Sequence, residues 1–239
     1  KHGYSNPAAG VAEMVGLMVS RAGSDELKAE VLPRIIAGDA ICSLGYSEPQ
    51  SGSDVFAAQT RAIPDGNGWR IDGTKMFTSG ANLTDYVLML TRTNPDVPKH
   101  KGLTMFLVPL KTEGVTIQPV HTFQDERTNI TFYDNIYVPD SWRLGEVDGG
   151  VRTMSLALEL EHGGGFANPM YSNIEAAEEL CRELDLMERS DTRRRLARAT
   201  ANALVSQLLE YRAGWAGAEK QPNFAYGPMV KMLSSELVL

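Results

Sequence analysis

Gly45-Tyr46-Ser47-Glu48-Pro49-Gln50-Ser51-Gly52-Ser53-Asp54 marks the point where the texture of this 239-residue chain changes from helix to strand. Hydroxyls at 47, 51 and 53, a glycine that admits close backbone approach, and free loop N–H groups can together hold a phosphate or a polar heterocycle. The plainer reading is a Ser-rich turn in which Asp54 caps the next element. Upstream, residues 8–37 carry a helical pattern, with Leu27, Val31, Leu32, Ile35 and Ile36 at helical spacing behind Ser24-Asp25-Glu26. Ser24 is the expected N-cap and Gly38 the expected stop, while Pro33 predicts a kink or a break.

Downstream, from about residue 40 to 140, the segments are β-branched and aromatic: Thr60–Ile63, Trp69–Ile71, Tyr86–Thr91, Thr104–Pro109, Val115–Val120 and Ile130–Val138. Asp65-Gly66-Asn67-Gly68, Asp72-Gly73, Asn94-Pro95 and Glu113-Gly114 separate them as turns. Strands so spaced, with no helix between them, predict an antiparallel sandwich or barrel. After Gly149-Gly150 the helical texture returns over Val151–Glu161, Ile174–Met187 and Thr192–Trp215. Arg193-Arg194-Arg195 reads as a solvated helix face. A further helical pattern runs from Pro228 to Leu239 without a cap, as in a segment of something longer. The texture therefore divides the chain into residues 1–40, helical; 41–148, a β-domain; and 149–239, helical again.

Composition narrows the function. Hydrophobic residues are 43% and charged residues 22%, too apolar for a disordered chain. With 23 Lys plus Arg against 30 Asp plus Glu, the net charge of −7 argues against a phosphate-tracking nucleic-acid binder. The longest apolar stretches, such as Leu103–Leu110, fall short of the ~20 residues that span a bilayer. No export signal opens the sequence, and Cys42 and Cys181 form no CxxC or Cys/His cluster. These features predict a cytoplasmic protein (or a mitochondrial-matrix one in a eukaryote), with no metal site.

Several motifs are missing. There is no Gly-Lys pair for a phosphate-binding P-loop, no GxGxxG opening a helix, no HExxH and no GxSxG elbow. Gly66-Asn67-Gly68 reads as a hairpin. What remains is a second segment, Gly73-Thr74-Lys75-Met76-Phe77-Thr78-Ser79-Gly80, where an aromatic followed by hydroxyls at a strand end could stack on and hydrogen-bond a flat ring.

In this order, the two segments resemble the acyl-CoA dehydrogenase family, with its Thr/Ser-Glu-Pro-x-x-Gly-Ser-Asp loop and later Gly-x-Lys-x-aromatic-x-Thr/Ser strand. The likeness extends outward through Gly23–Lys28, Leu32-Pro33, Gly38-Asp39, Lys101-Gly102-Leu103, Asp134–Pro139 and Leu144–Gly150, covering most of residues 22–162. It implies an α+β multidomain fold: a partial N-terminal helical domain, a central β-domain and a partial C-terminal helical bundle. It also implies FAD as cofactor, an acyl-CoA thioester as substrate oxidised to trans-2-enoyl-CoA, an electron-transfer flavoprotein as acceptor, and a homo- or hetero-oligomer, dimer or tetramer.

By the same resemblance, Tyr46, Ser47, Gly52 and Ser53 would contact FAD. Phe77 would stand beside the isoalloxazine, and the Ser79 hydroxyl would bond the ring. Ser53 and His162 would contact substrate. Glu161, in Leu158-Glu159-Leu160-Glu161-His162, coincides with the catalytic base of the group that includes isovaleryl-CoA dehydrogenase; alternatively it is a solvent-facing helix carboxylate. The chain departs from the family in three ways. His162 replaces an arginine. Gly163-Gly164-Gly165 and Pro169 interrupt an expected continuous helix, which would widen the acyl pocket for a bulky group. No Arg-x-x-Phe-Gly is recognisable between 180 and 200. The alternatives are a non-catalytic subunit pairing with an active partner, and an oxidase or monooxygenase on the same fold.

Overall fold

The computed structural model describes residues 7–123, 127–162, 166–219, 221, 223 and 225–238, with positions 7–9, 158–162 and 237–238 described by their backbone alone. The chain divides into two compact units, one up to Ala157 and one from Leu158 onward.

The first unit opens with α1 (Pro7–Ala22) and α2 (Asp25–Ala37). Ser24 Oγ accepts the Leu27 N–H at 3.0 Å and donates to the Ser141 carbonyl at 2.8 Å, so one side chain starts α2 and ties it to a distant loop. At the other end Gly38 takes φ 79°, a left-handed conformation costly for any residue with a Cβ, and the Asp39 N–H closes on Arg34 O at 2.8 Å. Pro33 does not break the helix. It and Ala29, whose carbonyl loses its intrahelical donor, both lie on the exposed face, where water can satisfy that oxygen.

Eight strands follow: β1 (Cys42–Gly45), β2 (Arg61–Asp65), β3 (Gly68–Lys75), β4 (Tyr86–Arg92), β5 (Leu103–Pro109), β6 (Val115–His121), β7 (Arg127–Pro139) and β8 (Arg143–Leu144). They form one sheet in the order β6-β7-β3-β2-β4-β5-β8, with β1 attached to β4. The sheet is mixed, whereas the strand spacing predicts an antiparallel one. β5 occupies one edge of β4 along its whole length. On the other edge β1 pairs with Tyr86–Met89 and β2 with Arg92, both parallel to β4. The loop 46–60 therefore leaves one strand and enters the next on the same edge of β4.

Asp65 pairs with Gly68 across the two-residue turn Gly66-Asn67, the hairpin the sequence predicts; Gly66 has φ 59°. β4 and β5 are buried on both faces, which is why they read as unbroken apolar runs. Val87, Met89, Phe106 and Val108 join Trp69, Ile71, Tyr133, Ile136 and Val138 in one core. β6 lies at the sheet edge, where Pro119 costs no ladder bond between interior strands.

α3 (Gly150–His162) is followed in the second unit by α4 (Ala167–Glu183), α5 (Ser190–Ala218) and α6 (Tyr226–Val238). Gly163–Gly165 lie outside the described residues. Pro169 stands in the first turn of α4, not in a helix interior, so its missing N–H costs no intrahelical bond. α4 has no cap of its own. Instead Glu210 on α5 accepts the Phe166 and Ala167 N–H groups through one oxygen at 2.8 and 3.0 Å. Removing this cap by Glu210→Ala is expected to cost about 1 kcal/mol in chemical denaturation; an unchanged midpoint would contradict the capping role. α5 and α6 meet through the buried Ser206 and Ser234 hydroxyls, 2.6 Å apart. Arg193, Arg194 and Arg195 are exposed, as the sequence predicts. No described helix is long and apolar enough to cross a membrane.

Candidate functional site

The loop 46–60 and the end of β3 come together. The Met76 N–H donates to Ser47 O at 2.9 Å, which places Ser47 beside the segment 76–79. β3 ends at Lys75, so Phe77 and Ser79 lie just beyond the end of the strand. Phe77 is 56% exposed and adopts φ 59°. A bulky aromatic rarely takes this left-handed conformation, and such strain gathers at sites where function holds it. The next turn is locked by a Ser79 N–H bond to Phe77 O at 2.9 Å. A pair of bonds joins Thr78 to the buried Asn129: Thr78 N–H to Asn129 O at 2.9 Å and Asn129 Nδ2 to Thr78 O at 3.0 Å. Ser79 is exposed, its Oγ 3.1 Å from Thr128 Oγ1.

On the loop, Tyr46 and Ser47 are half-buried, while Gly52 and Ser53 are exposed. A Cβ built on Gly52 would meet nothing within 4 Å, and its backbone is not in the left-handed region. Neither packing nor conformation within the described residues requires glycine there. An approaching ligand would supply such a requirement. Asp54 does not cap the following turn with its side chain; its carboxylate pairs with Lys99. Glu161 and His162 end α3, and their side chains lie outside the described residues, as does any role read for them.

What shapes this loop is a buried ion pair between Glu48 and Lys75, one from each segment. The Lys75 and Glu48 side chains are 0% and 1% exposed, with Nζ 2.8 Å from Oε1. Lys75 Nζ also donates to Leu90 O at 2.6 Å and Tyr46 O at 3.4 Å. Glu48 accepts the Gln59 and Thr60 N–H groups at 2.7 and 2.9 Å and the Gln50 amide at 3.0 Å. One carboxylate thus closes the loop from 48 to 60. Arg92 holds its far side, donating to the carbonyls of Phe56, Ala58 and Lys99 at 2.7, 3.1 and 2.6 Å. The sequence offers little signal for the pair: Lys75 is the lone charge of residues 73–80, but Glu48 shares its segment with a second acid, Asp54.

Burial pushes the Glu48 carboxyl upward, but the Lys75 charge and hydrogen bond and two backbone donors outweigh it and hold it below its ordinary 4.5. Burial drives Lys75 down to about 8, against the pull of Glu48. Asp85 is likewise lowered: burial raises it, and Lys111, the Ile41 N–H and Arg34 bring it below 3.8. A carboxylate depressed in the folded state stabilises fully above its unfolded value and loses that contribution as pH falls through the folded one. Stability is therefore expected to hold down to about pH 4.5 and to fall below it, with a shallower acid slope in Asp85→Asn. Identical slopes in urea titrations of the two proteins would contradict this. The Ser51 hydroxyl is buried with no hydrogen-bond partner among the described residues. Ser51→Ala is expected to raise the denaturation midpoint by about 1 kcal/mol equivalent; a lower midpoint would mean the hydroxyl is satisfied in solution.

Residues 43–133, which include both segments, match the family model for the acyl-CoA dehydrogenase middle domain. The chain belongs to the acyl-CoA dehydrogenase family. It is 40% identical over 142 residues to acyl-CoA dehydrogenase FadE26 of Mycobacterium tuberculosis, a match covering 58% of this chain and 36% of that protein. Among solved structures it is similar to a variant of the Tcur3481-Tcur3483 steroid ACAD, at 33% identity and TM-score 0.89, covering 96% of this chain and 61% of that one. The ChsE4-ChsE5 complex of Mycobacterium tuberculosis matches at 32% identity and TM-score 0.81, over 93% of this chain and 59% of that one. The chain thus spans 36–61% of the length of these relatives. Acyl-CoA dehydrogenases use FAD. The site's donor set fits that group: the half-buried Ser47 and exposed Ser53 hydroxyls and a glycine without steric demand on one segment, an exposed aromatic and an exposed hydroxyl on the other.

Proposed function

We propose that this chain is the flavin-binding part of an FAD-dependent acyl-CoA dehydrogenase that introduces a trans-2 double bond into a bulky, polycyclic acyl-CoA thioester. The observation that carries the reading is the junction of the two segments at Ser47 and Met76, with Phe77 held exposed and left-handed beside it. Ser47, Gly52 and Ser53, with Tyr46, form one wall for FAD, and Phe77 and Ser79 the other. Ser53 and His162 would contact the thioester. Glu161 would take the α-proton, and the hydride leaving Cβ would pass to the flavin, which supplies the two-electron oxidation. An electron-transfer flavoprotein would be the acceptor.

The polycyclic substrate class rests on the steroid ACAD among the similar structures. Assembly with a second subunit is supported by the ChsE4-ChsE5 complex and by α5. There Leu204, Leu208, Tyr211 and Trp215, spaced four, three and four residues apart, are all exposed along one stripe.

Titrating the apoprotein with FAD while following flavin fluorescence tests the cofactor reading. Saturable binding that weakens in Phe77→Ala is expected, and no binding would overturn it. A slow reaction of the reduced protein with oxygen is expected of a dehydrogenase; a rapid one would move the reading to an oxidase or monooxygenase.

A further inference from the structure

We infer that Lys75 is a positioning residue for the cofactor: by holding the Tyr46 carbonyl inward, its buried ammonium turns the Ser47 amide N–H outward as a donor to the bound flavin. The inference rests on the FAD reading given above. The geometry begins with burial. A lysine with no exposed surface is costly, and an aliphatic side chain would fill the same space at lower cost. All three ammonium hydrogens are used, on Glu48 Oε1, Leu90 O and Tyr46 O, so Lys75 joins the loop to both β3 and β4.

Every peptide bond described is trans. In a trans peptide the C=O and N–H point in opposite directions. With Tyr46 O directed at the buried Nζ, the Ser47 N–H points away from the buried pair. The following peptide is fixed as well, because Ser47 O accepts from Met76 N–H at 2.9 Å and Glu48 N–H donates to Ser51 O at 2.8 Å. Glu48 serves as the counter-charge and pins the loop's return at Gln59 and Thr60. A preset donor of this kind gains most when negative charge develops on its acceptor, as it does when a flavin is reduced.

The test uses the intact protein and the double variant Lys75→Met/Glu48→Gln, which removes both charges together so that neither is left buried alone. FAD affinity and the midpoint potential of the bound flavin are measured for each. The expected result is at least tenfold weaker FAD binding, with reduced flavin losing a further tenfold relative to oxidised flavin, about 30 mV toward negative potential for a two-electron couple. A loop merely loosened would lose affinity without moving the potential. A folded double variant with wild-type affinity and potential would overturn the role of Lys75. A wild-type protein that takes up no FAD would overturn the reading beneath it instead. Independently of any variant, hydrogen–deuterium exchange at the Ser47 amide of the wild-type protein is expected to be fast without FAD and slowed with it. Exchange that FAD leaves unchanged would also overturn the inference.

Discussion

Lys75→Met is expected to lower the unfolding free energy of the intact protein by about 3–5 kcal/mol, because it leaves the Glu48 carboxylate buried without its counter-charge. The loss is large because Glu48 cannot escape to water. Its side chain is 1% exposed and is held at the loop's return by the Gln59 and Thr60 amides. Pairing the substitution with Glu48→Gln is expected to restore most of that loss, since a neutral amide oxygen can still accept one of those N–H groups. Urea denaturation of the two variants side by side separates the cases. If Lys75→Met unfolds within 1 kcal/mol of the wild type, the pair is not the latch the geometry describes.

Glu161→Gln is expected to lower turnover by about 10²- to 10⁴-fold while leaving the flavin absorption spectrum unchanged. The substitution keeps the side chain's shape and removes only its ability to take a proton. Retained flavin with lost turnover would identify Glu161 as the base. Wild-type turnover in a flavin-replete variant would return it to a solvent-facing helix carboxylate.

Local chemistry was legible in the sequence, and long-range chemistry was not. Both ends of α2 could be read because a serine N-cap and a left-handed glycine act within a few residues of themselves. The strands from β2 to β7 could be read from β-branched and aromatic runs. β1 could not: Cys42-Ser43-Leu44-Gly45 has no β-branched residue, and it is a strand only because Tyr86–Met89 pairs with it. Without β1 the parallel pairing on β4 has no sequence signal, and the strand spacing alone predicts a purely antiparallel sheet. Pro33 predicts a disturbed helix by its chemistry alone, yet α2 tolerates it, because which face meets water is a tertiary fact.

The same division runs through the site. Ser47, Gly52, Ser53, Phe77 and Ser79 drew attention as residue types suited to a flavin, and the fold brings the two segments together. Glu48 and Lys75 lie 27 residues apart, and nothing in either segment alone says that the two charges meet in the interior. Asn129, which clamps Thr78, and Arg92, which ties the carbonyls of Phe56 and Ala58 to that of Lys99 on the β4–β5 connection, act through backbone atoms that a sequence does not display.

The most direct test of the account is the visible absorption spectrum of the intact, purified protein before and after anaerobic addition of acyl-CoA thioesters, linear and polycyclic. A flavin band that bleaches, and bleaches most with a polycyclic thioester, is the expected result. A protein that remains colourless after added FAD, or a flavin band that no thioester bleaches, would contradict it and favour a non-catalytic subunit that works beside an active partner.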